Sequence, residues 1–337
     1  MGYSKDIPQD APGPAVAARA RLVARLQVLS QDMRGGGTGL GHLLAQSLDA
    51  QGKCFRGTLM ILTGDLLGTQ GPARDAVLEA AAACEMVHTA SLLIDDLPSM
   101  DNADLRRGTP AFHVSHGEAT TILAGIALVA EAVRIVARAP GLAVQQAGMA
   151  ALLSRAVGTA GLCEGQMRDL SPGKSAAGIE QEHDLKTGAL FVCGFEMVAL
   201  AAAVGPERQA GLAALGLPLG RCFQCLDDLS DALGTEASTG KSVGRDAGGG
   251  SGGGGSSARG QLAVRSVDAA VALYHRLRAD LDRSLSACGL TATAVDDYIA
   301  QVLPRGLDRI AAAAVSGAGV APATAGTDRT DRTAASA

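Results

Sequence analysis

Residues 74–101 read RDAVLEAAAACEMVHTASLLIDDLPSMD, an apolar stretch that ends in a group of acidic side chains. Apolar and small residues recur in it at steps of three and four, which is the spacing of one face of an α-helix. Val77, Cys84 and Val87 lie on this face, and the residues between them are mostly alanines, so we predict a helix packed inside the protein. The polar sequence that starts at Asp95 marks the end of the helix.

Segments of the same kind follow one another along the chain, near residues 16–29, 57–67, 120–137, 144–163, 179–204, 207–233, 267–287 and 294–302. They are rich in Ala, Leu and Val and are broken at Gly and Pro, and none alternates with the two-residue period of a strand. We therefore predict an all-α fold, a single-domain helical bundle over residues 16–315. Residues 1–15 are predicted to form a loose arm, residues 316–337 a disordered tail, and residues 247–258, made of Gly and Ser, a flexible loop.

The composition excludes several classes of protein. The chain has 337 residues, of which 47% are hydrophobic and 19% charged, enough for a sizeable core. Aromatic residues make up only 2% and the net charge is -5, so we predict no nucleic-acid partner. Seven cysteines without a secretory signal predict reduced thiols in a cytoplasmic protein. No membrane span is predicted, because apolar stretches such as residues 189–205 are short and interrupted by Glu196.

Two clusters of aspartates each follow an apolar helix. The first contains Asp95, Asp96 and Asp101, and the second contains Asp227, Asp228 and Asp231. Carboxylates this close repel one another, and the partial negative charge of a helix C-terminus adds to the repulsion. Oxygen ligands without His or Cys suit Mg²⁺, which completes its coordination with water and substrate phosphates. The clusters thus predict magnesium sites on either side of a phosphorylated ligand; the alternative is two solvated helix ends.

Basic residues accompany these aspartates. Cations next to acidic clusters in a negatively charged chain are typical of anion capture, in which metals hold one side of a phosphate and Lys or Arg the other. Taken singly, each of these cations reads equally well as a surface charge. The residues are Lys53 and Arg56, Arg106 and Arg107, Lys186, and Lys241.

The motifs, taken together, resemble the trans-isoprenyl diphosphate synthase family, and most of all its bacterial geranylgeranyl diphosphate synthases. Residues 88–108 resemble its first aspartate-rich region and residues 223–231 its second. The resemblance covers roughly residues 43–262. Three shorter motifs occur in the family's order: Gly52-Lys53-x-x-Arg56, Gly165-Gln166-x-x-Asp169 and Lys186-Thr187-Gly188.

This resemblance implies a helical bundle around a deep central cavity, usually in a homodimer. It also implies the Mg²⁺-dependent, head-to-tail condensation of isopentenyl diphosphate with an allylic diphosphate. By resemblance, Asp95, Asp101 and Asp227 bind Mg²⁺, with Asp96, Asp228 and Asp231 as further ligands or their neighbours. Arg106, Lys186 and Lys241 would hold the allylic diphosphate, and Lys53, Arg56, His88 and Arg107 isopentenyl diphosphate. Thr187 and Gln224 would lie near the developing carbocation.

Product length is expected to depend on the helix that carries the first aspartates, because the growing chain extends along it in this family. Ala90 and Ser91, just before Asp95, are small, and Val87 lies one turn further down. No large side chain closes the cavity at this level, which predicts the twenty-carbon product, geranylgeranyl diphosphate. A farnesyl or a longer-chain diphosphate synthase remains an alternative.

The sequence departs from the family pattern at its first basic motif. The usual Gly-Lys-Arg-x-Arg-Pro has Cys54 and Gly57 in place of the second basic residue and the proline. Two further functions are open. A class I terpene cyclase also ionises a diphosphate, but the scarcity of aromatic residues is against it. A non-catalytic subunit of a heteromeric synthase is expected to lack one aspartate cluster, whereas both are complete here.

Overall fold

The all-α prediction is confirmed. The computed structural model describes residues 13–50, 52–172, 175–233 and 266–307, without the side chains of residues 231–233. The helices are α1 (Pro14–Gly35), α2 (Gly39–Asp49), α3 (Phe55–Leu66), α4 (Gly71–Asp95), α5 (Phe112–His116), α6 (Glu118–Val136), α7 (Ala143–Val157), α8 (Leu162–Asp169), α9 (Ala176–His183), a π-helical turn (Asp184–Gly188), α10 (Ala189–Ala201), α11 (Pro206–Ala214), α12 (Gly216–Leu233), α13 (Val267–Ala287) and α14 (Ala294–Val302).

Several expectations concern residues outside these ranges. They are Lys241, the loop 247–258, residues 1–12 of the predicted arm and the tail 316–337. Helix α1 begins at Pro14, slightly before the predicted domain boundary. Proline suits the first turn of a helix, where its missing N–H would have no intrahelical partner.

Helix α4 lies at the centre of the bundle. Its alanines 80–83 have no exposed surface, and α3, α6 and α10 pack against it. The contact with α6 is especially close at Gly125, where a Cβ atom would lie 2.9 Å from Cδ1 of Ile94. The small residues of both helices therefore fix the position of the carboxyl end of α4, from which the first aspartates project.

Helices α4 and α6, rather than residues 189–205, are long and apolar enough to cross a bilayer. In α4, however, 61% of the apolar window is buried inside the protein, as in the core helix of a bundle. In α6 the buried share is 39%. The rest of α6 includes an exposed apolar face, formed by Ile122, Leu123 and Ile126.

Some helices differ from the prediction. Helix α2 lies where the sequence predicts none, because its two glycines weaken helix propensity. It is stabilised by packing on α1 and by Thr38, whose side-chain oxygen accepts the N–H of Gly41 at 3.0 Å. The predicted segment 207–233 is divided at Leu215 into α11 and α12, and segment 179–204 contains the π-helical turn.

Candidate active site

The first aspartate region is a folded cap on the end of α4. The N–H of Asp101 donates to the carbonyl of Asp95 at 2.8 Å, and the N–H of Ala103 donates to that of Asp96 at 3.2 Å. The last carbonyls of the helix are therefore satisfied by the loop that follows it, not by water. This local folding holds Asp95 and Asp101 next to each other.

A small hairpin extends from this loop. Its strands are β1 (Leu105–Arg106) and β2 (Thr109–Pro110), which pair antiparallel. The two residues of the turn, Arg107 and Gly108, have φ angles of 53° and 78°. Positive φ at both positions defines a type I′ turn, in which Gly is favoured and Arg is rare. The hairpin sends the two arginines of the motif to different places.

Arg106 turns back to Asp96. Its Nε lies 3.0 Å from both carboxylate oxygens of Asp96, which is only 2% exposed, and its Nη2 also bonds this carboxylate. The sequence predicts Asp96 as a metal ligand or its neighbour and Arg106 as a diphosphate ligand. Because each residue already neutralises the other, this geometry favours Asp96 as a neighbour that positions Arg106.

Asp95 is held in an environment that disfavours its charge. Burial, together with the charges of Asp101 and Asp96, raises the pKa of Asp95 to about 6, although Lys186 and Arg106 act in the opposite direction. A bound cation would relieve both the repulsion and the cost of burial. The oxygen donors present here fit Mg²⁺.

Among the described residues, no three acidic, histidine or cysteine side chains form a complete metal site by themselves. Mg²⁺ is usually bound by only one or two carboxylates, with water and phosphate oxygens as the other ligands. Asp95 and Asp101 supply carboxylates of this kind. The site therefore fits magnesium whose coordination is completed by ligands from outside the protein.

Lys186 lies on the π-helical turn and faces the first aspartate region. Its Nζ donates to Oδ2 of Asp169 at 2.7 Å. Burial lowers the pKa of Lys186, but Asp95, Asp169 and Asp101 outweigh this effect and raise the pKa above its ordinary value. The turn can approach α8 closely because residue 165 has no side chain. A Cβ atom there would lie only 2.4 Å from the backbone nitrogen of Lys186. The Gly165-Gln166-x-x-Asp169 motif thus provides both the space for Lys186 and its hydrogen-bond partner.

Thr187, the next residue, faces the second aspartate region. Its hydroxyl donates to Oε1 of Gln224 at 2.8 Å, and Nε2 of Gln224 donates to Oδ1 of Asp228 at 3.0 Å. On the other side of Asp228, Nε2 of His183 lies 3.8 Å from Oδ2. Helix α12 can come this close because residue 220 is a glycine. A Cβ atom at this position would lie only 2.6 Å from Cα of Gly188.

The π-helical turn therefore joins the two aspartate regions. Lys186 acts on Asp95 and Asp101, while Thr187 is bonded through Gln224 to Asp228. Asp227, one residue before, is exposed and close enough to Arg56 to act on its pKa. The side chain of Asp231 lies outside the described part of the structure.

Among the predicted diphosphate ligands that the structure describes, Arg56 is the most buried, with 8% of its surface exposed. Its guanidinium carbon lies 4.6 Å from the ring centre of Phe191 and 5.5 Å from that of Phe223. Burial lowers the pKa of Arg56, although Cys84, Glu85 and Asp227 oppose this effect. Such stacking stabilises a buried cation, and the side-chain Nε has no hydrogen-bond partner in the described structure.

The predicted contact of His88 with a diphosphate stays a prediction, but its ring lies close enough to three arginines for their charges to act on its pKa. Burial lowers the pKa of His88 well below its usual value, and Arg56, Arg107 and Arg106 lower it further. The ring is therefore neutral near pH 7. Lys53 is exposed on the loop before α3, and Nη1 of Arg107 donates to the carbonyl of Ala50 beside that loop at 3.0 Å.

Glu85 is a buried residue of this site that the sequence analysis does not predict. Its Oε1 accepts the N–H of Gly57 at 2.8 Å, in the first turn of α3, and its surface is 7% exposed. Burial raises the pKa of Glu85, although the Gly57 N–H, Arg56, Arg107 and Arg19 oppose this effect. A single acidic residue three positions before His88 in an otherwise apolar stretch is the signal that marks it.

The residues predicted to control product length lie on α4 below this site. Val87 and Ala90 are 1% and 2% exposed. Ser91 is half-buried, and its hydroxyl donates to the carbonyl of His88 at 2.9 Å. All three remain small side chains beneath the aspartates, and their influence on product length stays a prediction.

Comparison with known proteins gives the same result at the level of family and fold. The polyprenyl synthetase family model matches residues 38–251. The chain is 40% identical to a geranylgeranyl diphosphate synthase of Pantoea ananas over 212 residues, which is 62% of this chain and 69% of that protein. It is 37% identical to a farnesyl diphosphate synthase of Haemophilus influenzae over 201 residues, 58% of this chain and 67% of that protein.

The fold also occurs in a crystal structure of a geranyltransferase from Helicobacter pylori, complexed with magnesium and isoprenyl diphosphate. The TM-score is 0.71 at 23% identity, with 87% of this chain and 97% of that chain covered. With the family match extending over more than half of the chain and both aspartate regions in place, the chain belongs to the polyprenyl synthetase family.

Proposed function

We propose that this protein is a Mg²⁺-dependent prenyltransferase that condenses isopentenyl diphosphate with allylic diphosphates to give geranylgeranyl diphosphate. The observation that carries this proposal is the π-helical turn, where Lys186 lies close enough to Asp95 and Asp101 for their charges to raise its pKa, and the Thr187 hydroxyl donates to Gln224 of the second aspartate region. A diphosphate between these regions would meet carboxylate-bound metal on two sides and the Lys186 ammonium on a third.

The reaction begins with departure of diphosphate from the allylic substrate. Asp95, Asp101 and Asp227 would hold Mg²⁺, which as a Lewis acid stabilises the charge on the departing oxygens. Lys186, oriented by Asp169, contacts the same diphosphate. Its charge is already in place before the reaction, so little reorganisation is needed as the bond breaks.

The second substrate would be held by the basic residues around Arg56, which form the arginine side of the site. Arg56 and Arg107 neutralise the diphosphate of isopentenyl diphosphate, together with Lys53, and neutral His88 contributes a hydrogen bond. Thr187 and Gln224, which are hydrogen-bonded to each other, would lie near the allylic cation, and the dipoles of their side-chain oxygens would stabilise it. The released diphosphate can accept the proton lost after coupling, so this step needs no base from the protein.

The geranylgeranyl product is supported by the small residues Val87, Ala90 and Ser91 and by the relative from Pantoea ananas. The relative from Haemophilus influenzae supports farnesyl diphosphate as the second candidate product. We further propose a cytoplasmic homodimer that buries the exposed face of α6, on which Ile122, Leu123 and Ile126 are 42%, 59% and 61% exposed.

The test is incubation with labelled isopentenyl diphosphate, an allylic primer and Mg²⁺. We expect elongated diphosphates with twenty carbons as the main product, and loss of turnover when EDTA removes the metal. A hydrocarbon product would support a terpene cyclase instead. No turnover with dimethylallyl, geranyl or farnesyl diphosphate would support a non-catalytic subunit.

A further inference from the structure

The loop before α3 lies between two arginines from distant parts of the chain. Nη2 of Arg19, on α1, donates to the carbonyl of Gly52 at 3.2 Å. Nη1 of Arg107, in the hairpin turn, donates to the carbonyl of Ala50 at 3.0 Å. Residue 52 has no room for a side chain, since a Cβ there would lie 2.2 Å from Nη2 of Arg107. Both guanidinium groups are thus held beside Lys53.

This loop has one cation fewer than the family motif that it resembles. Cys54 occupies the position of the second basic residue, is 4% exposed and has a φ of 51°. Burial raises the pKa of Cys54 to about 12, so the thiol stays neutral at physiological pH. The motif itself therefore provides only Lys53 and Arg56.

Arg19 differs from the other arginines of α1. Arg21, Arg25 and Arg34 each form an ion pair, with Asp65, Glu79 and Asp49 respectively. For Arg19, no such acidic partner occurs within the described ranges, and its side chain donates to a backbone carbonyl instead. Its charge nevertheless acts on buried groups of the site, because it lowers the pKa of Cys54 and of Glu85 against the effect of burial.

We propose that Arg19 binds the diphosphate of isopentenyl diphosphate, together with Lys53, Arg56 and Arg107, and so replaces the cation that Cys54 does not provide. The inference rests on the proposed function, which supplies the substrate. The positive charge of Arg19 lies beside the motif without an acidic partner in the part of the chain that the structure describes, whereas a residue that only supported the loop would need its hydrogen bond and not its charge.

The test uses two variants that separate these contributions. Arg19→Gln removes the charge and keeps a donor, and Arg19→Lys keeps the charge. For Arg19→Gln we expect the KM for isopentenyl diphosphate to rise about fivefold, as for loss of a partly exposed charge contact, with the KM for the allylic diphosphate unchanged. Arg19→Lys should stay within about twofold of the wild type.

Arg21→Gln is the matched control, since it removes the same charge from the same helix where Asp65 is its partner. It should leave both KM values unchanged. The dissociation constant of isopentenyl diphosphate, measured by calorimetry without primer, should rise in Arg19→Gln as its KM does.

Equal loss in Arg19→Gln and Arg19→Lys would overturn the proposal in favour of a loop support, and so would an unchanged KM or an equal rise for both substrates. The calorimetric measurement also separates a failure of the proposed function from a failure of the proposed role of Arg19. If the wild type binds isopentenyl diphosphate but forms no product, the proposed function fails while the role of Arg19 is still decided by binding alone. If the wild type does not bind it, both fail.

Discussion

The candidate site has an aspartate side, formed by the first aspartate region with Asp95, and an arginine side, formed around Arg56. The two sides carry opposite charges, and burial shifts the pKa values of their side chains in opposite directions. On the aspartate side, burial raises the pKa of Asp95 to about 6. On the arginine side, burial lowers the pKa of Arg56 and that of His88. In each case the environment disfavours the charged form of the side chain.

The sides also differ in how they balance this charge. The aspartate side has ion pairs of its own, Asp96 with Arg106 and Asp169 with Lys186. On the arginine side, Glu85 bonds a backbone N–H, and Arg56 rests on the rings of Phe191 and Phe223. The comparison indicates that the arginine side depends more on an incoming anion, whereas the aspartate side depends on an incoming metal ion.

The largest expected effect is that of Asp95→Asn. We expect kcat to fall about 10³-fold, because a carboxylate that stabilises the leaving group through the metal is lost. The same change should stabilise the fold at pH 7.5. Folding raises the pKa of Asp95, so its favourable contribution is present at low pH and is lost as the pH rises from 3.8 through about 6.

The gain in the free energy of unfolding should be on the order of 2 kcal/mol at pH 7.5 and should shrink toward pH 4. Denaturant titrations at both pH values measure it. Asp75→Asn, an exposed carboxylate at the other end of α4, is the control and should change neither kcat nor stability. Normal turnover in Asp95→Asn would contradict the proposal that Asp95 binds a catalytic metal ion.

Arg56→Gln should have the next largest effect. The KM for isopentenyl diphosphate is expected to rise roughly 50-fold, since a buried charged hydrogen bond to the diphosphate is lost. The KM for the allylic diphosphate should change little. Steady-state kinetics with each substrate varied in turn measures this difference, and an equal rise for both substrates would contradict the division of the site into two sides.

A smaller effect is expected at the π-helical turn that joins the two aspartate regions. Thr187→Val keeps the shape of the side chain but leaves Oε1 of Gln224 without its donor, so kcat should fall about tenfold. Thr187→Ser, which retains the hydroxyl, is the control and should keep most of the activity. If Thr187→Val and Thr187→Ser behave alike, the hydroxyl has no part in the reaction.

The smallest effect on rate is expected outside both charged sides, at Ala90. Ala90→Tyr should shorten the main product from twenty to fifteen carbons by filling the cavity, with both KM values within about threefold of the wild type. Product chromatography measures the shift. Ala90→Ser should not change the product, and an unchanged product in correctly folded Ala90→Tyr would contradict the steric account.

The fold class and the two aspartate motifs could be predicted from sequence, because both are visible as local patterns. Helical spacing identifies α4, and the aspartates at its end are visible as a motif. The pairing of Asp96 with Arg106 could not be predicted, since it depends on a turn with positive φ at Arg107.

Hydrogen bonds between distant parts of the chain could not be predicted from the sequence either. Arg19 and Gly52 are 33 positions apart, and Glu85 and Gly57 are 28 apart. Such pairs are brought together only by helix packing, and no spacing in the chain indicates them. The need for glycine at position 165 could not be predicted for the same reason, because it depends on the backbone of Lys186 packing against this residue.

The π-helical turn at Asp184–Gly188 makes the site sensitive to chain length as well as to residue type. An α-helix advances about 100° per residue, and a π-type turn absorbs an extra residue without ending the helix. Deletion of Leu185 would let the backbone return to α-helical winding and would rotate Lys186 relative to the helix that follows. No residue with a polar side chain would have been removed, yet the Lys186 ammonium and the Thr187 hydroxyl could no longer face their separate aspartate regions at once.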